Sequence, residues 1–285
     1  MTWSAGSDVG IHGRTTELAR IGSFLDEVAS HPATLLIEGE AGIGKTTLWS
    51  AGIDQARHRG WQILTCRPVQ AEAALSFSAL GDLLEPVAEP VFSGLPGPQR
   101  RALDVALLRA EPGPEPPDQR AVAVAFLGVI RALAEAAPVI VGVDDLPWLD
   151  RASAAVLEYA QRRLTTQRAG LLATAVTGDQ PGPAVPVRGW LPDGRRQILT
   201  TGPLSVPALD AVLRAKGGPP EGWPEVVEVH EASGGNPYFA LELAAALGAH
   251  GRQRGSRQPL PSRGRCGRWS SAGWRPSPRR ARRWR

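Results

Sequence analysis

The chain has 285 residues, of which 42% are hydrophobic, and a formal net charge of +4 at pH 7. This length and composition allow an α/β core with one smaller additional unit, and they exclude a chain too polar to fold. The charge is uneven, because residues 251–285 hold twelve arginines and no acid, which leaves 20 basic and 28 acidic side chains in the first 250 residues. The body of the protein is therefore acidic and its tail is basic.

Secreted, disulfide-stabilised and membrane-spanning proteins are also excluded by the sequence. The two cysteines, Cys66 and Cys266, give neither a disulfide framework nor the spacing of metal ligands, which indicates a reducing compartment. The N-terminus lacks the basic and apolar regions of a secretory signal. The longest apolar zone, residues 121–143, is interrupted by two charged residues and a proline, so it predicts a helix and a strand rather than a membrane span. We expect a soluble, cytoplasmic protein without a membrane partner.

A βαβ unit is the first arrangement predicted in chain order. It is preceded by a helix in which Leu18, Ile21, Phe24, Leu25 and Val28 recur at helical spacing. The apolar run at residues 35–37 predicts the first strand, residues 46–58 a helix and residues 61–66 a second strand.

The turn inside this unit carries a phosphate-binding motif. Residues 39–46 match GxxxxGK[ST] in full, and they lie between a predicted strand and a predicted helix. Glycines let the backbone turn its N–H groups inward around an anion, and the helix N-terminus adds a positive dipole. Lys45 can reach the β- and γ-phosphates of a nucleotide, and the Thr46 hydroxyl is placed to bind Mg²⁺. The predicted nucleotide-binding residues are Gly39, Glu40, Ala41, Gly42, Ile43, Gly44, Lys45, Thr46 and Thr47.

The alternative for this turn is a glycine-rich connection that binds nothing. Lysine usage argues against it, because Lys45 and Lys216 are the only lysines among 32 basic residues. In a chain that otherwise uses arginine, a compact ammonium group at the one position that needs it indicates selection.

The middle of the chain predicts further strands and helices in alternation. Eight prolines in residues 85–118 indicate a surface excursion, with one helical patch near residues 100–108 and its loosest part at residues 112–117. The later predicted helices cover residues 119–136 and 150–164, the strands cover 139–143, 171–174 and 197–200, and residues 178–194 form a loop. This alternation predicts a parallel, doubly wound sheet covered on both faces.

Helical patterns alone follow, at residues 206–216, 224–232 and 238–249. The predicted domains are an α/β domain of the P-loop NTPase class at residues 10–204 and a helical lid at residues 205–250. Residues 251–285 show neither a helical nor a strand period and are predicted to be a disordered, arginine-rich tail.

Two adjacent carboxylates end the predicted strand at residues 139–143. The carboxyl ends of parallel strands share one edge of a sheet, so Asp144 and Asp145 can lie beside the phosphate-binding motif. We predict that Asp144 binds Mg²⁺ together with Thr46, and that Asp145 is the catalytic residue that polarises the attacking water. The alternative is a solvated turn after a buried strand.

Four motifs in this order resemble one known family. They are Gly13-Arg14 with Glu17-Leu18, GEAGIGKTT, VDDLPWLDRASAAVL and ASGGNPYFALELA, and they cover roughly residues 10–250. The chain resembles the signal-transducing NTPases with numerous domains (STAND class), in particular the AAA-like nucleotide-binding module of the large LuxR-type transcriptional regulators.

The resemblance implies a sheet with an extra strand between the phosphate-loop strand and the Asp144 strand, followed by the helical lid. It implies a slow switch in which ADP holds a closed form and ATP an open form that self-associates as a homo-oligomer. Gly13 and Arg14 would then line the adenine, and Pro237 would pack on the base. Proline is also favoured at the first position of any helix, so an ordinary loop-to-helix junction is the alternative for Pro237.

Two departures from the family pattern limit these expectations. Residues 172–177 offer no arginine after the fourth strand to sense the γ-phosphate, so hydrolysis is expected to be weak. The family continues into a winged helix, helical repeats and a helix-turn-helix, whereas this chain ends at Arg285, as a regulator truncated after the lid would. We therefore expect no sequence-specific DNA binding.

A second hypothesis gives the tail the main function. Its arginines would bind phosphates of a nucleic acid, and Trp269, Trp274 and Trp284 would stack on bases. The alternative for the tail is an out-of-frame segment of a GC-rich gene, because Arg, Gly, Pro, Ala and Trp all have GC-rich codons.

Overall fold

The computed structural model describes residues 11–111, 113, 118–177, 196–217, 225–250, 267–270 and 273–276. The chain divides into two compact units, each of which is discontinuous in sequence. The sheet unit comprises Thr16–Gly39 and Lys45–Thr200. The helical unit comprises Met1–Thr15, Glu40–Gly44 and Thr201–Arg285. The domain boundaries at residues 204 and 250 stay predictions.

Five strands form the sheet, in the order β2-β3-β4-β1-β5. The β1–β4, β4–β3 and β3–β2 pairs are parallel. Strand β4 therefore lies between the phosphate-loop strand β1 and the acid-bearing strand β3, which confirms the predicted extra strand. The strands are β1 (Ala33–Gly39), β2 (Gln62–Cys66), β3 (Val139–Val143), β4 (Ala169–Val176) and β5 (Arg196–Thr201).

Helices cover both faces of this sheet, as the doubly wound pattern predicted. Alternate residues of the strands point into two buried clusters, so that Leu35 and Ile37 of β1 lie in one cluster and Leu36 lies in the other. Each fully buried aliphatic side chain contributes about 1.5–3 kcal/mol to folding. The helices are α1 (Thr15–Val28), α2 (Lys45–His58), α3 (Ser78–Leu84), α4 (Glu89–Ser93), α5 (Gly97–Ala106), α6 (Gln119–Ala136) and α7 (Arg151–Gln161).

The predicted surface excursion at residues 85–118 is wrong, although its predicted helical patch near residues 100–108 corresponds to α5. Helices α4 and α5 occupy much of it, and Phe92 and Leu103 are buried in the same core cluster as α6. Pro90 and Pro98 lie in the first turns of these helices, where a missing N–H costs no hydrogen bond and the fixed φ favours the helix. Most of the predicted loosest part, residues 112–117, lies outside the described residues, as does the predicted loop at 178–194.

The helical unit contains α8 (Val206–Ala215), α9 (Val226–Ser233) and α10 (Pro237–His250). Their apolar faces share a small core that includes Leu209, Val229 and Ala240. The Ser205 hydroxyl caps α8 by accepting a hydrogen bond from the backbone N–H of Ala208 at 3.4 Å.

Eight residues of the predicted tail lie in the described part of the chain. Strands β6 (Gly267–Ser270) and β7 (Gly273–Pro276) pair antiparallel, with Trp269 in register with Trp274. Tryptophan favours strands, and period counting could not detect a pairing built from two four-residue segments. The other residues of the predicted disordered tail lie outside the described part of the chain.

Over the residues that the structure describes, no helix combines the length and the apolarity needed to cross a membrane.

Candidate functional site

The phosphate-binding motif begins where β1 ends, at Gly39. In the helical unit, Gly42 and Gly44 have φ angles of +77° and +106°, which only glycine adopts without strain. The N–H of Ile43 donates to the carbonyl of Glu40 at 3.3 Å and closes the turn. Two of the three motif glycines therefore occupy backbone positions that only glycine adopts easily, and the predicted binding of an anion by this loop stays a prediction.

In the sheet unit, Thr46 lies beside the predicted metal-binding carboxylate. Lys45, which is buried, begins helix α2, and Thr46 follows it. The Thr46 hydroxyl donates to Oδ1 of Asp144 at 3.2 Å. Asp144 is itself only 5% exposed and comes directly after the last residue of β3. The structure thus brings together the two residues predicted to bind Mg²⁺.

Thr174 completes this group, and the sequence analysis missed it. Its hydroxyl donates to the same Oδ1 of Asp144 at 2.8 Å and accepts from the backbone N–H of Asp145 at 2.7 Å. The register explains the position, because Val143, the last residue of β3, pairs with Ala173 of β4. The signal available in the sequence was a threonine inside the apolar run LLATAV, and the structure shows that this threonine is fully buried.

Asp145 occupies an unusual position for a side chain with a Cβ. Its φ of 65° and ψ of 55° are left-handed, a conformation that aspartate tolerates better than most residues. Burial raises the pKa of its carboxyl, the adjacent Asp144 raises it further, and Lys45 opposes both effects. A raised pKa suits a carboxylate that accepts a proton from water.

The oxygen atoms of this group fit a magnesium ion by their chemistry. Mg²⁺ prefers hydroxyl and carboxylate oxygens and keeps several of its waters, so one threonine and one carboxylate are a sufficient protein contribution. Thr46 and Asp144 would hold it, and the ion would neutralise charge on a bound polyphosphate. Within the described residues, no group of three or more His, Cys, Asp or Glu side chains is arranged to hold a metal ion by itself.

In the helical unit, three successive carbonyls of the phosphate loop accept hydrogen bonds from residues distant in sequence. The carboxamide Nδ2 of Asn236 donates to Ala41 at 3.0 Å, and the backbone N–H of Tyr238 donates to Gly42 at 3.3 Å. The buried guanidinium of Arg14 donates to Ile43 at 2.9 Å. We call these three donors the carbonyl clamp.

Four residues outside this group have structural positions of their own. Gly13 has a φ of +68°, and a Cβ there would lie 2.3 Å from Cβ of Ala208, so glycine is required. Pro237 is the first residue of α10, and its predicted contact with a base stays a prediction. Asp150 caps α7 by accepting from the N–H of Ser153 at 2.9 Å. Burial raises the pKa of the Cys66 thiol, which makes it unreactive.

Comparison with protein families shows which family the chain belongs to. The AAA ATPase domain family matches residues 11–173, which is more than half of the chain. The chain belongs to this family. The matched range includes the whole phosphate-binding motif, the two acids at the end of β3 and most of β4. None of the curated proteins compared with the chain matches it.

One solved structure shows the same fold at low sequence identity, and two others are similar over most of the chain with lower TM-scores. The Aeropyrum pernix ORC1 protein in complex with DNA matches 88% of this chain over 64% of its own, with 19% identity and a TM-score of 0.52. The replication initiator DnaA bound to AMPPCP and single-stranded DNA matches 88% of this chain over 66% of its own, with 12% identity and a TM-score of 0.48. The Thermotoga maritima RuvB Holliday junction branch migration motor matches 84% of this chain over 62% of its own, with 16% identity and a TM-score of 0.41. The chain thus spans slightly less than two thirds of these proteins.

Proposed function

We propose that the chain is an ATP- and ADP-binding regulatory switch module, related to the signal-transducing NTPases of LuxR-type transcriptional regulators. The observation that carries the nucleotide-binding part is the hydrogen bond between Thr46 and Asp144. It joins the last residue of a complete phosphate-binding motif to a carboxylate at the end of β3. That pairing of hydroxyl and carboxylate is what a magnesium-bound polyphosphate requires.

Slow hydrolysis is the second part of the proposal. Asp145 supplies a carboxylate with a raised pKa next to Asp144, so a base for the attacking water is present. No arginine follows in residues 172–177 to stabilise charge on the γ-phosphate. Loss of such a positive group removes a large part of the acceleration in phosphoryl transfer. A site that binds well and turns over slowly suits a switch better than a motor.

The regulatory role rests on the four motifs that resemble the STAND class. The helical unit carries the last of these motifs, ASGGNPYFALELA, and two of its residues, Asn236 and Tyr238, donate to the phosphate loop. A change in the loop on nucleotide binding therefore has a direct route to α10. The nucleic-acid hypothesis has less support, because the DNA in the ORC1 structure belongs to that protein and the described residues offer no specific nucleic-acid site.

Three measurements on the full chain test the proposal together. Calorimetry should show binding of both Mg-ADP and a non-hydrolysable Mg-ATP analogue. Single-turnover hydrolysis should be far slower than the ~10 s⁻¹ that is typical of enzymes. Sedimentation velocity should give a larger species with the ATP analogue than with ADP.

Two results would contradict the switch. Turnover at ~10 s⁻¹ or faster would indicate a motor or a metabolic ATPase. Identical sedimentation with the two nucleotides would remove the evidence for two states.

A further inference from the structure

Asn236 uses both ends of its carboxamide in hydrogen bonds. It is fully buried, and its Oδ1 accepts from the backbone N–H groups of Tyr238 at 3.2 Å and Phe239 at 3.3 Å. This is the N-cap interaction of α10. Its Nδ2 donates to the carbonyl of Ala41 at 3.0 Å, 195 residues away in sequence. One carboxamide therefore begins a helix and binds the phosphate loop.

The turn before Asn236 holds the carboxamide in place. Gly235 has a φ of +71°, and a Cβ there would lie 2.7 Å from the carbonyl oxygen of Leu204. The Leu204 N–H donates to the Gly235 carbonyl at 2.9 Å, and Nε2 of His230 lies 2.8 Å from the Leu204 carbonyl. Because these contacts fix the backbone at Gly235, the Asn236 side chain has little freedom to move away from the Ala41 carbonyl.

The clamp determines which way the loop amides point. In a trans peptide, the N–H lies opposite the preceding C=O. Because the carbonyls of Ala41 and Ile43 face Asn236 and Arg14, the N–H groups of Gly42 and Gly44 point away from these donors. Amides oriented in this way are the ones that bind a phosphate.

Packing at Gly42 adds a second constraint. A Cβ at Gly42 would lie 2.8 Å from Cβ of Tyr238 and 3.1 Å from Oδ1 of Asn236. The first turn of α10 therefore lies directly against the loop backbone. If the Ala41–Gly42 peptide rotated, it would lose its hydrogen bond from Asn236 and clash with the first turn of α10.

We infer that Asn236 is a positioning residue for phosphate binding: its carboxamide orients the Ala41–Gly42 peptide toward the phosphates and couples the loop to the N-terminus of α10. This inference rests on the proposed function, because it concerns the same nucleotide. It assigns to the Asn236 amide a role separate from base contact by Pro237.

Two substitutions of Asn236 remove its Nδ2 donor while an acceptor for the N-cap of α10 is kept. Asn236→Ser keeps a good N-cap residue, adds no charge and is too short to reach the Ala41 carbonyl. Asn236→Asp keeps the cap acceptor at full length and replaces the donor by an acceptor. As a matched control, Ser205→Ala removes the cap of α8 in the same unit and touches no loop carbonyl.

The ligands are Mg-ADP and Mg-pyrophosphate, titrated calorimetrically into the full chain at physiological salt. Lys45→Ala defines the background from non-specific binding to the arginine-rich tail. The Ala41 carbonyl, which is only partly buried, loses its donor, and a typical hydrogen bond contributes about 0.5–1.5 kcal/mol, so both affinities should fall ~2- to 12-fold in the two Asn236 variants. Ser205→Ala should lower the melting temperature and leave both affinities at the parent level.

Three outcomes would overturn the inference. They are parent-like affinity in the Asn236 variants, a loss confined to Mg-ADP with normal pyrophosphate binding, and an equal loss in Ser205→Ala. The second outcome would show that Asn236 affects binding of the nucleoside part of ADP and not of the phosphates. The third would show that loss of any helix cap in this unit weakens binding through general destabilisation. If the parent chain binds neither ligand above the Lys45→Ala background, the proposed function itself is wrong and the inference falls with it.

Discussion

Thr46 and Asp144 lie 98 residues apart in sequence, and the hydroxyl of one donates to the carboxylate of the other at 3.2 Å. The sheet order explains this contact. Strands β1 and β3 flank β4, so the helix that follows β1 and the acid that follows β3 meet at one edge of the sheet. Asp144 also accepts from Thr174, which fixes the orientation of its carboxylate.

Asp144→Asn should weaken magnesium-dependent nucleotide binding by at least ~10-fold, because the charged ligand is lost while the shape is kept. Calorimetry with Mg-ADP, and with ADP plus a chelator, measures the magnesium contribution. Asp118→Asn is the control, since it neutralises a carboxylate that caps α6 elsewhere in the sheet unit. If Asp144→Asn leaves the magnesium contribution unchanged, the metal assignment is wrong.

Asp145→Asn should leave Mg-ADP binding intact and reduce hydrolysis by ~10²–10⁴-fold, as expected for loss of a general base. In the parent, turnover requires the ionised carboxylate, whose pKa is raised by burial. Hydrolysis should therefore decline as the pH falls and this carboxylate becomes protonated. A pH-independent rate, or a variant that loses ADP binding, would contradict this role.

The same raised pKa has a consequence for stability. The pKa of Asp145 is higher in the folded chain than in the unfolded chain, so the folded chain binds this proton more tightly. The contribution of Asp145 to the free energy of unfolding is therefore fully present below the unfolded pKa and is lost as the pH rises through the folded pKa. Without nucleotide at neutral pH, Asp145→Asn should thus unfold at higher urea concentration than the parent. Asparagine also tolerates the left-handed backbone at this position. A lower urea midpoint would show that the carboxylate is stabilising.

Thr174→Val keeps the shape of the side chain and removes its hydroxyl, so Asp144 loses a donor and the N–H of Asp145 loses an acceptor. We expect a loss of about 1–3 kcal/mol in the free energy of unfolding, together with weaker Mg-ADP binding. Thr34→Val is the control, because Thr34 is buried in neighbouring β1 and pairs with Leu171, away from the acids. Equal effects in urea unfolding and calorimetry for the two variants would refute a special role for Thr174.

The sequence predicted the parts of the site that follow a fixed local pattern. The phosphate-binding motif and β3 with its two acids depend on short-range signals. The position of β4 between β1 and β3 was expected only because the family resemblance implied it, and no local pattern in the sequence predicts it. The Thr174 hydrogen bonds could not be predicted, because they depend on the exact register of β3 against β4. Prolines misled the prediction at residues 85–118, since a proline that breaks a helix and one that begins it are identical in composition.

Any DNA binding by the chain should lack sequence preference. The sequence shows no helix-turn-helix signature, and we expect the tail arginines to bind mainly phosphates, which carry no sequence information. Affinity should fall steeply between low and physiological salt, and deletion of residues 251–285 should remove it while Mg-ADP still binds. In a filter-binding titration, one site bound ~1,000-fold over random DNA at physiological salt would favour the nucleic-acid hypothesis instead.

Binding of Mg-ADP by Lys45→Ala and Lys216→Ala tests nucleotide binding most directly. The two variants remove the only lysines of the chain, so they change the net charge equally, but only Lys45 belongs to the phosphate-binding motif. Loss of a charge-assisted hydrogen bond costs about 1.5–3 kcal/mol, so calorimetry of the full chain at physiological salt should show affinity reduced at least ~10-fold in Lys45→Ala. Lys216→Ala should bind like the parent. Equal affinities for Lys45→Ala and the parent would contradict nucleotide binding at this site.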